Sequence, residues 1–149
     1  MIINGAQLLQ AAPIANMEVC KRRFMGLSHG LTECGYDIRI KQDVTLFLGH
    51  RFVLASSVEM FKMPHNLMGR VLNKSTWARL GLDASMTTNI EPGWHGFLTL
   101  ELRYSGWKPL RIHAGTGIAQ VIFETLAEPA QYKGKYQAQG DKPIEARIY

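Results

Sequence analysis

The chain has 149 residues, 46% of them hydrophobic, which suits one compact domain over residues 1–149 and excludes a disordered polypeptide. No run approaches the roughly 20 apolar residues of a membrane span, and the opening IINGAQLLQAAP lacks the regions of a secretory signal, so a cytoplasmic protein away from membranes is expected. The net charge of +5 suits an anionic partner, but the basic residues are scattered, which serves a polyphosphate small molecule as well as it serves nucleic acid.

In chain order, residues 2–12 place Ile2, Ile3, Leu8, Leu9 and Ala12 in a short apolar stretch. Asn4 is a candidate cap and Pro13 a stop, which predicts a short packing helix. Residues 17–34 read as a loop-rich connection punctuated by Gly26 and Gly30, with Lys21, Arg22 and Arg23 as a solvated surface. Cys20 and Cys34 have no CxxC spacing, which favours neither a disulfide framework nor zinc. In YDIRI, Tyr36, Ile38 and Ile40 alternate with Asp37 and Arg39, the period of a half-buried strand. Residues 44–47, 51–58 and 67–72 are further short strands separated by turn signals, so the pattern predicts an all-β barrel or jelly-roll-like sandwich.

Residues 73–101 hold the densest chemistry. Asn73 and Lys74 precede Ser75, Thr76 and Arg79 in a run able to form one helical turn with Ser75 or Thr76 as cap, and two hydroxyls with two cations there suit a phosphate chain. The same pattern also describes a solvated, capped turn. Pro92 and Gly93 predict a type II turn flanked by Glu91 and Trp94, where an acid can accept a hydrogen bond from a sugar hydroxyl. FLTLELRY puts Leu98, Leu100, Leu102 and Tyr104 on one face and Phe97, Thr99, Glu101 and Arg103 on the other. Open to water, Glu101 pairs with Arg103; closed by another subunit or a ligand, it gains the raised pKa of a general base.

Beyond this stretch, Gln120 inside AQVIF needs hydrogen-bond partners, from the core or from a ligand. The five histidines form no metal motif. The tail, residues 131–149, is either a frayed end or a lid of lysines and aromatics.

Six ordered segments, GYDIRI, FVLASSVEMFKMP, GRVLNKSTWARLGL, NIEPGWHGFLTLEL, GIAQVIF and YKGKYQAQG, resemble the trimeric deoxyuridine triphosphatase and deoxycytidine triphosphate deaminase superfamily, and within it the deaminase branch. The resemblance implies a distorted β-barrel or jelly roll of the dUTPase-like type, assembled as a homotrimer with shared active sites and closed by the tail. It also implies zinc-independent deamination of dCTP to dUTP. Glu101 would activate water for attack on cytosine C4, assisted by Ser75 and Arg79. Lys74, Ser75, Thr76, Gln120, Tyr132, Lys135 and Gln139 would hold the triphosphate with Mg²⁺ on its oxygens, and Thr88, Asn89, Glu91 and Trp94 would face base and sugar.

The absence of an HxE…PCxxC pattern independently excludes zinc-deaminase chemistry. Against the family pattern, Lys74 stands for an arginine, Glu91 for an aspartate, and SMTTN is one residue short, with Thr87 and Thr88 near an expected alanine. A dUTP pyrophosphatase, a bifunctional enzyme releasing dUMP, and a nucleotide-binding regulator without turnover are the competing readings.

Overall fold

The computed structural model describes residues 1–148. In chain order it holds β1 (Ile2–Ile3), α1 (Gly5–Ala11), β2 (Lys21–Phe24), β3 (Leu27–Leu31), β4 (Tyr36–Arg39), β5 (Val44–Leu46), β6 (Phe52–Lys62) and β7 (Leu67–Asn73). These are followed by α2 (Ser75–Arg79), β8 (Leu82–Asp83), a 3₁₀ turn (Ser85–Thr87), β9 (Asn89–Ile90), β10 (His95–Tyr104), β11 (Leu110–Ile112) and β12 (Gly117–Thr125). The protein is mainly β, as its turn-punctuated sequence predicts.

A seven-stranded sheet runs β2-β3-β4-β12-β7-β9, with β1 also paired to β12. β6, β10 and β8 form a second sheet, and β5 pairs with β11 in a third. The sheets do not close into a barrel; the arrangement is of the jelly-roll type. Between the layers lie fully buried side chains such as Ile38, Phe61, Leu100, Leu102 and Phe123. Each such side chain contributes about 1.5–3 kcal/mol by leaving water.

Three local expectations need correction. Asn4 stands at the start of α1 with an extended backbone, but its side chain donates to the Glu33 carbonyl at 2.8 Å instead of capping the helix. Lys74, not Ser75 or Thr76, is the residue before the first turn of α2. Residues 17–34 contain the β2–β3 hairpin, whose register is Lys21↔Gly30, Arg22↔His29 and Arg23↔Ser28. Met25 and Gly26, at φ 49° and 80°, supply the two positive-φ positions of its tight turn. Every β2 residue is exposed, so no apolar alternation marks the strand.

β4 is buried on both faces: Asp37 is only 3% exposed, and Arg39 pairs with buried Glu59 at 2.8 Å.

Candidate active site

β10 displays the alternation its sequence predicts, with Leu98, Leu100, Leu102 and Tyr104 buried and Phe97, Thr99 and Glu101 half-buried on the other face. Antiparallel pairing sets Glu101 opposite Leu54 of β6. The backbone N–H of Glu101 donates to Thr87 Oγ1 at 2.9 Å, tying the acid to the 3₁₀ turn. Its carboxylate has no ion-pair partner among the described residues, Arg103 included. Burial raises the Glu101 pKa above the ordinary glutamate value.

Around it lies a cleft of about 440 Å³ walled by apolar groups such as Phe52, Leu54, Ile90 and Leu98. Thr88, Asn89, Glu91, Trp94, Tyr132 and Gln139 also line it. The turn before β10 closes as expected, Trp94 N–H donating to the Glu91 carbonyl at 3.2 Å.

One side of this cleft is supplied by the chain's own tail. Trp94 Nε1 donates to the Tyr136 carbonyl at 2.6 Å, and Ala138 N–H to the His95 carbonyl at 3.0 Å. Gln139 forms a parallel bridge with Gly96 and accepts from Thr99 Oγ1 at 2.9 Å. A Cβ on Gly96 would come within 2.6 Å of the Gln139 backbone, so that glycine permits the docking. Ile144 and Ala146 complete the lining. Tyr149, the last residue of the expected lid, lies outside the described residues.

A second cleft of about 500 Å³ collects Lys74, Ser75, Thr76 and Gln120. Here Lys74 pairs with Asp37 and donates to Ser28 Oγ at 2.8 Å, while Ser28 Oγ donates to Asp37 at 2.7 Å. Gln120 Nε2 donates to Thr32 Oγ1 at 3.1 Å, which answers the need of an amide in an apolar strand. Lys21 and Arg23, both exposed, also line this cleft.

The predicted site residues therefore fall into two groups. Glu101, Thr88, Asn89, Glu91, Trp94, Tyr132 and Gln139 share the first cleft; Lys74, Ser75, Thr76 and Gln120 share the second. Arg79, exposed in the last turn of α2, and Lys135, bound to the Arg147 carbonyl, line neither. Sequence reasoning did not single out Asp37, Ser28 and Thr32, which hold the second cleft together, or Leu54 and Tyr136 in the first. Asp37, an acid at the centre of an apolar strand, and Tyr136, an aromatic of the expected lid, left a signal.

The family model described as dCTP deaminase-like matches residues 36–126. A dCTP deaminase of Campylobacter fetus is 36% identical, the match covering 76% of this chain and 78% of that protein. One of Gemmatimonas aurantiaca is 33% identical, covering 76% and 79%. Among solved structures, the 2′-deoxycytidine 5′-triphosphate deaminase of Agrobacterium tumefaciens superposes with a TM-score of 0.59 at 15% identity, covering 84% of this chain and 48% of that one. The EIAV dUTPase superposes with a TM-score of 0.57 at 19% identity, covering 69% and 84%. These last two show a shared fold. From the family match and the relatives above 30% identity, the chain belongs to the dCTP deaminase-like family.

Proposed function

We propose that this protein hydrolyses dCTP to dUTP and ammonia. The observation that carries this reading is Glu101: an acid without a cationic partner among the described residues, in a cleft where burial raises its pKa, on a chain related to dCTP deaminases. Glu101 takes a proton from water, whose oxygen bonds to cytosine C4. That proton passes to ring N3, the hydroxyl proton on C4 is carried through Glu101 to the amino group, the C4–N bond breaks, and ammonia leaves as C4 becomes the carbonyl of uracil. A carboxylate raised toward the working pH accepts and returns that proton with a smaller mismatch than an ordinary one. Thr88, Asn89, Glu91 and Trp94 face the base and sugar.

Ser75 and Arg79 assist Glu101, while Lys74, Ser75, Thr76 and Gln120 take the phosphates. The separation of these groups into two clefts of one chain supports a homotrimer in which one protomer's Ser75, Thr76 and Arg79 meet its neighbour's Glu101. Residues 131–149 act as the lid, with Tyr132, Lys135 and Gln139 reaching the nucleotide once it is bound. Mg²⁺ would be held through the phosphate oxygens, where it would neutralise part of their charge. That placement fits the donors present, since no group of three His, Cys, Asp or Glu side chains among the described residues could cage an ion. A cytoplasmic location suits a free nucleotide substrate, and no helix among the described residues is long and apolar enough to cross a membrane.

A second reading, pyrophosphate release to give dUMP, is favoured by Glu91, an acid on the wall of the same cleft. Chromatography of products from dCTP, dCMP and dUTP with Mg²⁺ tests both. Ammonia and dUTP from dCTP support deamination; pyrophosphate points to the second reading; no product from any of the three removes both.

A further inference from the structure

The second cleft contains more cations than the phosphate-binding set assigned above, and the structure distinguishes the committed ones from the free one. Lys74, the basic residue of that set in this cleft, is pinned by buried Asp37 and by Ser28, both its own side chain and that of Asp37 being at most 10% exposed. Lys21 is held by Glu33, both carboxylate oxygens lying 2.7 Å from its Nζ. Each of these two charges is thus already compensated. Arg23 also lines the cleft and has no ion-pair partner among the described residues.

Strand register explains why Arg23 faces the cleft and its neighbour does not. In β2, Arg23 lies directly across from Ser28, whose hydroxyl belongs to the Lys74–Asp37 network. Arg22 pairs with His29 and points to the opposite face of the hairpin. His29 is buried against Glu18 on that other side, and Arg22 is absent from the cleft lining. Three adjacent basic residues that look alike in sequence are therefore one paired lysine, one outward arginine and one cleft-lining arginine without an ion-pair partner among the described residues.

We infer that Arg23, carried on the β2–β3 hairpin, is an anion-binding residue of this cleft and grips the terminal phosphates of the polyphosphate ligand. This rests on the nucleotide reading above in naming the ligand class. A guanidinium presents a planar fork of donors that matches two phosphate oxygens at once, which the ammonium of Lys74 cannot do. The hairpin thus supplies the forked contact that a lysine at position 74 lacks. Because Arg23 is exposed on the hairpin while Lys74 is largely buried, Arg23 favours nucleotides long enough to reach it, and discriminates triphosphate from monophosphate.

The test is calorimetric titration of inorganic tripolyphosphate into the intact protein, Arg23→Gln and Arg22→Gln, together with deaminase kinetics on dCTP and dCMP. Both variants remove one charge from the same exposed strand, so thermal melting that matches the parent checks folding. Arg23→Gln is expected to weaken tripolyphosphate about tenfold and to raise the KM for dCTP by a similar factor with kcat little changed. Arg22→Gln should stay within about twofold of the parent. Equal weakening by both variants, weakening by neither, or no tripolyphosphate binding to the parent would overturn the assignment. The two readings fail separately. Arg23-dependent tripolyphosphate binding without ammonia release from any cytosine nucleotide removes the deaminase reading alone. Normal deamination with unchanged Arg23→Gln kinetics removes this one alone.

Discussion

The main-chain N–H of Glu101 donates to the hydroxyl oxygen of Thr87 at 2.9 Å, although fourteen positions separate the two residues. Thr87 is buried, and the residue after it, Thr88, holds a positive φ of 66°. The 3₁₀ turn therefore fixes the height at which β10 presents its acid.

Replacing Thr87 with Val should leave the Glu101 N–H without its acceptor. The expected cost is about 1–3 kcal/mol of stability, read by chemical denaturation, with Thr87→Ser retaining most of it. Equal stability of the Val variant and the parent would show that the hydrogen bond does not hold the strand.

Glu101→Gln should bind the nucleotide but release ammonia about 10²–10⁴-fold more slowly, since the amide cannot accept the water proton. Single-turnover ammonia assays alongside calorimetric binding separate the two effects. Undiminished release would end the assignment of Glu101 as base.

Burial raises the Glu101 pKa, and the base we propose is its carboxylate, so activity should be lost as pH falls through that raised value. The acid limb of the kcat/KM profile should therefore have its midpoint above the ordinary glutamate value of about 4.3. The sign for folding is opposite: a carboxyl with a raised folded-state pKa contributes stability at low pH that is lost as pH rises through it. Glu101→Gln should flatten this component of the stability–pH curve, measured by thermal melting.

Asp37→Ala should destabilise the protein by about 3–5 kcal/mol, because it strands the Lys74 ammonium beside Ser28 in a largely buried position. The double change Asp37→Ala with Lys74→Met should recover much of that loss in urea denaturation. Additive losses would show that the pair is not coupled.

If active sites are shared between protomers, co-expression of Glu101→Gln with Ser75→Ala should restore up to about a quarter of parental activity, since random assembly re-creates some intact pairs. Each variant alone stays inactive. No recovery from a mixed oligomer would place both residues in sites formed by a single chain.

Much of this architecture was legible in the sequence. Alternation in FLTLELRY announced β10 and its two faces, and the Pro92-Gly93 pair announced the turn before it, because both are local consequences of side-chain period and backbone dihedral preference. The β2–β3 hairpin was illegible for the same reason: a strand exposed on both faces has no apolar period to display.

By itself, the sequence determined a β-rich protein of the dCTP deaminase-like family, with Glu101 on the strand face opposite Leu98, Leu100 and Leu102. Tertiary structure decided what surrounds that face and which charges are free. Leu54 and the tail residues Tyr136 and Ile144 line the cleft of Glu101 from distant parts of the chain, and Asp37 reaches across the sheet to neutralise Lys74 while Arg23 has no ion-pair partner among the described residues. Desolvation and charge pairing depend on neighbours in space, and the fold brings those neighbours together from distant positions, 46 apart for Lys74 and Ser28 and 88 apart for Gln120 and Thr32.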